Sequence, residues 1–211
     1  MTIRTLLVDD HRIVLRGIEE ILLKTHDIRV VAGVSTAREA LDRIARDVLD
    51  IVLLDISMPD RNGLELLRLI KERKPRLPVL ILSMHPEEQY AVRALRAGAA
   101  GYLTKESAQE ELIEAIRRVA QGRKYVSTTL AEKLAFELEP NVEKAAHEKL
   151  SDREYQVMRL IGAGRKNNEI AGELCVSPKT VTTYKSRILQ KLGMKNSAEV
   201  IRYLMDHGLT D

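Results

Sequence analysis

Three acidic residues stand directly after apolar runs of the sequence. Asp9 and Asp10 follow the run at residues 5–8, and Asp55 follows the run at residues 51–54. Such runs are typical of parallel strands that are buried on both faces. Ligands of open α/β sheets bind outside the carboxyl ends of the strands, so we expect the three carboxylates to line one crevice.

Two more of the predicted strand ends carry polar side chains. Ser83 follows the apolar run at residues 79–82, and Lys105 follows the run at residues 101–104. Carboxylates held close together raise one another's pKa, and a hard divalent cation such as Mg²⁺ relieves their repulsion. A carboxylate beside a metal ion, a lysine and a hydroxyl suits phosphoryl transfer, in which the carboxylate is the nucleophile and becomes an aspartyl phosphate.

With Tyr102 beside the last of these strand ends, the set resembles the receiver domain of two-component response regulators over about residues 1–121. The resemblance implies that Asp55 accepts phosphate from a sensor histidine kinase. It also implies a Mg²⁺ site held by Asp10, Asp55 and the backbone carbonyl of Ser57. Asp9 would take part in that site through a water molecule.

The same resemblance gives three residues a part in switching. Ser83 and Lys105 would contact the phosphoryl group, and Tyr102 would reorient on activation. The family often has proline directly after the lysine, whereas this sequence has Glu106.

Alternating strands and helices must hold these residues in place. Strands are followed by apolar residues at helical spacing, as at Val14, Ile18 and Leu22. Five βα units predict an α/β fold with a five-stranded parallel sheet of the flavodoxin-like kind, right-handed crossovers and helices on both faces. Ser35 is expected to cap the second helix.

A different, all-α pattern begins near residue 150. Ser151 and Glu154 have the spacing of a capping box, and Ser177 followed by Pro178 marks the start of a helix that runs to about Leu192. A short helix at residues 168–174 precedes it. This arrangement predicts a helix-turn-helix whose second, polar and basic helix suits the major groove of DNA.

Residues 149–211 resemble the LuxR-type C-terminal domain, and with the receiver the chain resembles the NarL/FixJ family of transcriptional regulators. The resemblance implies double-stranded DNA as a partner. It makes Thr182, Thr183 and Ser186 the base-facing residues. The residues that would contact DNA phosphates are Lys179, Lys185, Arg187 and Lys191. The family often has longer side chains at the base-facing positions, and often has His where this sequence has Tyr184.

The distribution of charge agrees with a nucleic-acid partner for the C-terminal part. Residues 1–121 hold 19 basic and 19 acidic residues, whereas residues 149–211 hold 11 basic and 7 acidic ones. The single cysteine, Cys175, excludes an internal disulfide and is expected in the core. The histidines show no spacing typical of a metal site, so we assign them no chemistry.

Two segments leave their structural role open. Residues 122–148 read as a linker with a helix at 127–138, and an additional helix of the first domain is an equally good reading. The last helix, from residue 197 to about residue 207, carries apolar residues for a twofold contact between two copies of the chain. These are Val200, Ile201, Tyr203 and Leu204, and the alternative is that all four belong to the core of their own domain.

The sequence therefore predicts a DNA-binding transcriptional regulator that is controlled by phosphorylation and acts as a homodimer, not an enzyme. The main alternative is a Mg²⁺-dependent phosphatase with an aspartyl nucleophile. That class of enzyme has a second aspartate two residues after the nucleophile, where this chain has Ser57. A regulator that works without phosphorylation is a third reading, against which the intact set of acids argues.

The expected location is cytoplasmic, with no membrane partner. No stretch approaches the ~18 uninterrupted apolar residues of a membrane-spanning helix. Asp9 and Asp10 come too early for a signal peptide, and a single cysteine fits a reducing compartment.

Overall fold

A parallel β-sheet is the centre of the first of two units into which the chain divides, residues 1–139 and residues 140–211. The computed structural model describes residues 2–58, 62–107, 109–137 and 145–209. The strands are β1 (Ile3–Val8), β2 (Ile28–Val34), β3 (Ile51–Asp55), β4 (Val79–Ser83) and β5 (Gly101–Thr104). Their order in the sheet is β2-β1-β3-β4-β5, and all neighbours are parallel, as the sequence predicts for a flavodoxin-like sheet.

Five helices cover this sheet. They are α1 (Arg12–Leu23), α2 (Ala37–Arg46), α3 (Gly63–Arg73), α4 (Glu87–Arg96) and α5 (Gln109–Ala120). On one face, α1 and α5 pack on Leu7, Leu53 and Leu80, which lie side by side because their strands pair in that register. The other helices contact the strands from the opposite face, so β3 is buried along its whole length.

The cap of α2 differs from the prediction by one residue. Thr36, not Ser35, is the N-cap, and its hydroxyl accepts a hydrogen bond from the backbone N–H of Glu39. The Glu39 carboxylate in turn accepts one from the backbone N–H of Ser35, 3.2 Å away. Thr36 and Glu39 therefore form the cap of α2, which the sequence assigned to Ser35 alone.

The segment after α5 packs with the first unit instead of leaving it at residue 121. Tyr125 forms a parallel bridge with Gly101 at the edge strand β5. A side chain at position 101 would put its Cβ 2.5 Å from the carbonyl oxygen of Tyr125, so this approach requires glycine. Helix α6 (Thr128–Glu137) then packs on α4 with Leu130 buried. Residue 138, which we expected at the end of this helix, lies outside the described residues.

The second unit is helical. A 3₁₀ helix (Ala146–Lys149) leads into α7 (Asp152–Gly162), α8 (Asn167–Glu173), α9 (Pro178–Leu192) and α10 (Ser197–Asp206). The predicted capping box is present, with Ser151 and Glu154 each accepting a hydrogen bond from the other's backbone N–H. Ser177 caps α9 ahead of Pro178. The N-caps of α7 and α9 were therefore predicted correctly from the sequence.

Cys175 is placed differently from the expectation. It lies in the turn between α8 and α9 with φ 51, in the left-handed region, and it is exposed. The turn needs a residue of this conformation, and a small side chain there points to solvent instead of into the core.

None of the helices in the described ranges combines the length and the hydrophobicity needed to cross a lipid bilayer.

Candidate functional site

The carboxyl edge of the sheet brings the predicted acidic residues and the lysine together. The ammonium nitrogen of Lys105 lies 2.6 Å from Asp9 Oδ2 and 3.0 Å from Asp55 Oδ2. The side chain of Asp55 is 1% exposed and that of Lys105 is 7% exposed. Because β1, β3 and β5 are parallel, the loops after them converge on this one cluster, as the sequence predicts.

Burial and charge act against each other in this cluster. Burial raises the pKa of Asp55, and the nearby Asp9 adds to the rise while the Lys105 ammonium opposes it. Burial alone would lower the pKa of Lys105, but Asp55 and Asp9 outweigh it and hold the pKa above its ordinary value. Lys105 is therefore a fixed positive charge, and it is the main group that favours the ionised form of the Asp55 carboxylate.

The start of α3 fixes the backbone around Asp55. The side chain of Asn62 caps the helix by accepting from the backbone N–H of Leu64, and the N–H of Gly63 donates to the carbonyl of Ile56. A Cβ at Gly63 would lie 2.1 Å from the carbonyl oxygen of Asp55. Only glycine permits this approach, which brings the start of α3 against the end of β3.

The acidic residues can hold a metal ion. Asp9, Asp10, His11 and Asp55 offer one ligand atom each, and these atoms all lie within 4.8 Å of one another. Lys105 forms an ion pair with Asp55 Oδ2 and the backbone of Ser57 lies against the carboxylate, but no hydrogen bond of good geometry to a described residue reaches either oxygen. Buried carboxylate oxygens without hydrogen bonds suit a cation.

The sequence assigned no chemistry to any histidine, yet the ring of His11 lies beside the acidic cluster. Metal motifs read from a sequence depend on ligands spaced along one element. Here His11 directly follows Asp9 and Asp10 in one loop, and the fourth residue, Asp55, comes from another strand. The adjacency of His11 to two acids was the signal available in the sequence.

A second histidine, His85, connects the residues that the sequence assigned to switching. Its backbone N–H donates to Ser83 Oγ at 3.0 Å, and its carbonyl oxygen accepts from Tyr102 Oη at 2.8 Å. Its Nε2 lies 3.1 Å from Ser57 Oγ, in the loop that follows Asp55. Tyr102 is buried, so β5 and the loops after β3 and β4 are joined through one residue that the sequence analysis did not single out.

Helix α9 presents a polar face and buries an apolar one. Val181 and Ile188 are buried against the rest of the unit. The residues on the exposed face are Lys179, Thr182, Thr183, Ser186 and Arg187. Lys185 is half-buried at the flank of this face. The face has the mixture of hydroxyls and positive charge that suits DNA.

Two of the hydroxyls on this face have defined orientations. Thr182 Oγ1 donates to the carbonyl of Pro178 at 3.0 Å, and Thr183 Oγ1 donates to the carbonyl of Lys179 at 3.1 Å. Hydroxyl groups bonded back to the preceding turn keep only their acceptor lone pairs for an outside partner.

Lys191, a predicted phosphate contact, has a 40% exposed side chain that forms an ion pair within its own unit. Its ammonium nitrogen lies 2.6 Å from Oε2 of Glu154, whose side chain is 4% exposed. At 100° per residue, position 191 lies about 120° around the helix from Lys179, away from the centre of the polar face.

Part of the predicted twofold contact on α10 is corrected. Val200 and Leu204 are buried in the core of their own unit, because α10 packs on α7 through that stripe. Tyr203 is half-buried, and the backbone N–H of His147 donates to its hydroxyl oxygen. Ile201 remains half-buried at the surface, and Met205, which the sequence analysis passed over, is 64% exposed.

A receiver-type phosphoacceptor site joined to a helix-turn-helix unit defines the class of protein. Residues 5–117 match the response regulator receiver domain, and residues 148–204 match the bacterial regulatory proteins of the luxR family. The chain is 38% identical over 208 residues to the response regulator UvrY of Escherichia coli (strain K12), covering 98% of this chain and 95% of that protein. The chain belongs to the NarL/FixJ family of two-component response regulators, whose members are DNA-binding regulators and in general not enzymes.

Solved structures give the same class. RcsB of Salmonella enterica serovar Typhimurium, bound to the promoter rprA in the presence of a phosphate mimic, matches with a TM-score of 0.67 and 26% identity over 97% of this chain and 99% of that chain. A structure of two RcsB dimers bound to two parallel DNAs matches with a TM-score of 0.60 and 26% identity, covering 97% of this chain and 98% of that one.

Proposed function

We propose that phosphorylation of Asp55 by a sensor histidine kinase controls the binding of this regulator to DNA. The observation that carries the proposal is the buried Asp55 carboxylate at the mouth of the sheet, 3.0 Å from the Lys105 ammonium and beside Asp9 and Asp10. This arrangement has a nucleophile, a fixed positive charge and a set of metal ligands in one crevice.

In the transfer, a carboxylate oxygen of Asp55 attacks the phosphorus of a phosphohistidine on the kinase. A phosphorus–oxygen bond forms, the phosphorus–nitrogen bond breaks, and the electron pair of that bond goes to the imidazole of the kinase. Lys105 neutralises negative charge on the transferred group, and Ser83 contacts it by its hydroxyl. Proton uptake by the released imidazole completes the step.

Mg²⁺ is the cofactor that we propose for this site. Asp10, Asp55 and the backbone carbonyl of Ser57 would hold it, with Asp9 acting through water. When bound, Mg²⁺ would supply positive charge to the phosphoryl oxygens. The buried carboxylate of Asp55 supports this assignment, because a hard cation takes oxygen ligands.

The contacts of Ser57 count against the phosphatase alternative. Those enzymes have an acid at this position for proton transfer, whereas Ser57 is within hydrogen-bond distance of His85. The same contact belongs to the network that reaches Ser83 and Tyr102. We propose that phosphate on Asp55 shifts this network and with it the loop after β4.

For DNA binding, we propose that α9 enters the major groove. Thr182, Thr183 and Ser186 would face the bases, and Lys179, Lys185 and Arg187 would contact phosphates. The exposure of this face and the DNA complexes of RcsB support the proposal. The RcsB dimers likewise support a homodimer, for which Ile201 is the predicted residue left at the surface of α10, beside the exposed Met205. The proposal places the protein in the cytoplasm, where the DNA is.

The central test measures the phosphate adduct by intact mass after treatment with a small acyl phosphate. The parent should gain one phosphate in the presence of Mg²⁺, and Asp55→Asn should gain none because the nucleophile is removed. Asp42→Asn, on an exposed aspartate of α2, is the matched control and should behave as the parent does. An equal adduct on Asp55→Asn and on the parent would show that another residue is the acceptor.

A further inference from the structure

His11 stands at the mouth of the acidic crevice with its ring pointing at the carboxylates. Its Nδ1 lies 3.0 Å from Asp10 Oδ1 and 3.3 Å from Asp9 Oδ1, while the side chain is 61% exposed. It occupies the N-cap position of α1, yet its side chain makes no capping hydrogen bond there. The position of the ring is thus explained by the acids and not by the helix.

The spacing of these atoms matches metal coordination. In an octahedral site with ligands at about 2.1 Å, adjacent ligand atoms are about 3.0 Å apart and opposite ones about 4.2 Å apart. The imidazole nitrogen is 3.0 and 3.3 Å from two carboxylate oxygens, and the whole set of four ligand atoms lies within 4.8 Å. One cation can therefore reach the nitrogen and the oxygens with small adjustments.

The buried end of the crevice also points to a cation. Lys105 binds Oδ2 of both Asp9 and Asp55, and no such contact links it to Asp10. Oδ1 of Asp55 is buried and has no hydrogen bond of good geometry to a described residue. This observation is independent of His11 and leaves negative charge that the lysine alone does not cover.

We propose that His11 Nδ1 is a ligand of this metal site and gives it a preference for imidazole-binding transition metals such as Ni²⁺ over Mg²⁺. Oxygen ligands suit Mg²⁺, whereas an imidazole nitrogen suits Ni²⁺ and its neighbours in the transition series. The inference deepens the metal site of the proposed function and rests on it. Its consequence is that a transition metal competes with Mg²⁺ for the crevice in which Asp55 is phosphorylated.

The test compares affinities for Ni²⁺ and Mg²⁺ by calorimetry on the whole protein. Only the Ni²⁺ that excess Mg²⁺ displaces is counted, which restricts the measurement to this crevice. His11→Ala and His11→Asn should lower the ratio of Ni²⁺ to Mg²⁺ affinity about tenfold or more. The asparagine variant keeps a favoured N-cap residue, so it preserves the start of α1.

Two further variants make the result specific. His26→Ala removes an exposed histidine that is not among the clustered ligands and should leave the ratio as in the parent. Asp10→Asn should weaken both metals, which confirms the identity of the site. If both His11 variants leave the ratio unchanged, or lower both affinities by one factor, then His11 only positions the acids and the proposal is overturned.

A different measurement, the phosphate adduct on Asp55, tests the proposed function. Absence of a Mg²⁺-dependent phosphate adduct on Asp55 in the parent would remove it, whatever the metal preference. A normal adduct together with an unchanged affinity ratio would remove only the role of His11.

Discussion

At the scale of single residues, Thr182 and Thr183 show how a short side chain could read DNA. Their hydroxyl hydrogens are used inside the helix, at the carbonyls of Pro178 and Lys179. The outward lone pairs can then accept from the amino groups of adenine or cytosine, and the methyl groups can contact the methyl group of thymine. Arg187, in contrast, offers a charge that every DNA sequence can use.

We therefore expect two kinds of loss on this helix. Thr183→Val keeps the shape but removes the acceptor, so it should change the preferred sequence, by about 1–3 kcal/mol at the base pair concerned. Arg187→Ala should weaken binding to all duplexes alike and lower the salt slope by about one, because one phosphate contact and its released counterion are lost. Titrations of specific and random duplexes at several salt concentrations measure both effects.

The experiment tests whether Thr183 contacts bases and Arg187 contacts phosphates. Equal losses on specific and random DNA for both variants would contradict it. Lys191→Met is the useful comparison, since its ammonium is bound to Glu154 and its removal should leave the salt slope unchanged.

At the scale of elements, Glu154 joins α7 to α9. Its carboxylate accepts from the Ser151 backbone N–H within the capping box and from the Lys191 ammonium. Burial works to raise the pKa of Glu154, but Lys191 and the Ser151 backbone outweigh it and hold the pKa below its ordinary value. One carboxylate thus satisfies the start of α7 and holds α9 in place.

Glu154→Gln should lower the free energy of unfolding of the second unit by about 1–2 kcal/mol at neutral pH. Because the folded-state pKa is lowered, the contribution of Glu154 is present above the ordinary value of 4.5 and is lost as the pH falls through the folded value. The parent and the variant should therefore converge on acidification. Urea unfolding of residues 145–211 between pH 7 and pH 3 measures the difference, and a difference independent of pH would refute the assignment.

A feature could be predicted where a local sequence pattern marks it, and could not where it depends on residues far apart in the chain. The acids after β1 and β3 and the cap at Ser151 could be predicted, because apolar runs and local spacing mark them. His85 could not be assigned, since it acquires its role from Ser57 and Tyr102, which follow or lie on other strands. The pairing of Lys191 with Glu154 crosses 37 positions of the chain, and no local pattern carries it. The packing of α6 on α4 was left open for the same reason.

At the scale of the whole molecule, each unit has its own core, and the division between them falls in residues 138–144, outside the described residues. The receiver unit has no excess of either charge, and the C-terminal unit is basic. We expect phosphorylation to act on the first unit and to control DNA binding without changing the residues of α9 themselves.

We expect phosphorylation to raise DNA affinity by releasing the second unit from restraint and by favouring a dimer. The test compares three samples on one duplex: the whole protein, the phosphorylated whole protein, and residues 145–211 alone. Restraint requires the isolated unit to bind at least as tightly as the unphosphorylated whole protein. If it binds much more weakly while phosphorylation still activates the whole protein, dimerisation by the receiver alone explains the control.

The bridge between Tyr125 and Gly101 bears on the solubility of the receiver. β5 is an edge strand, and the bridge covers part of its open side. A receiver shortened to residue 121 would lose this cover together with the helix that packs on α4. Its exposed backbone N–H and carbonyl groups would form a template on which further chains can add as strands. We therefore expect the residues after α5 to limit aggregation of the receiver, a role separate from joining its two units.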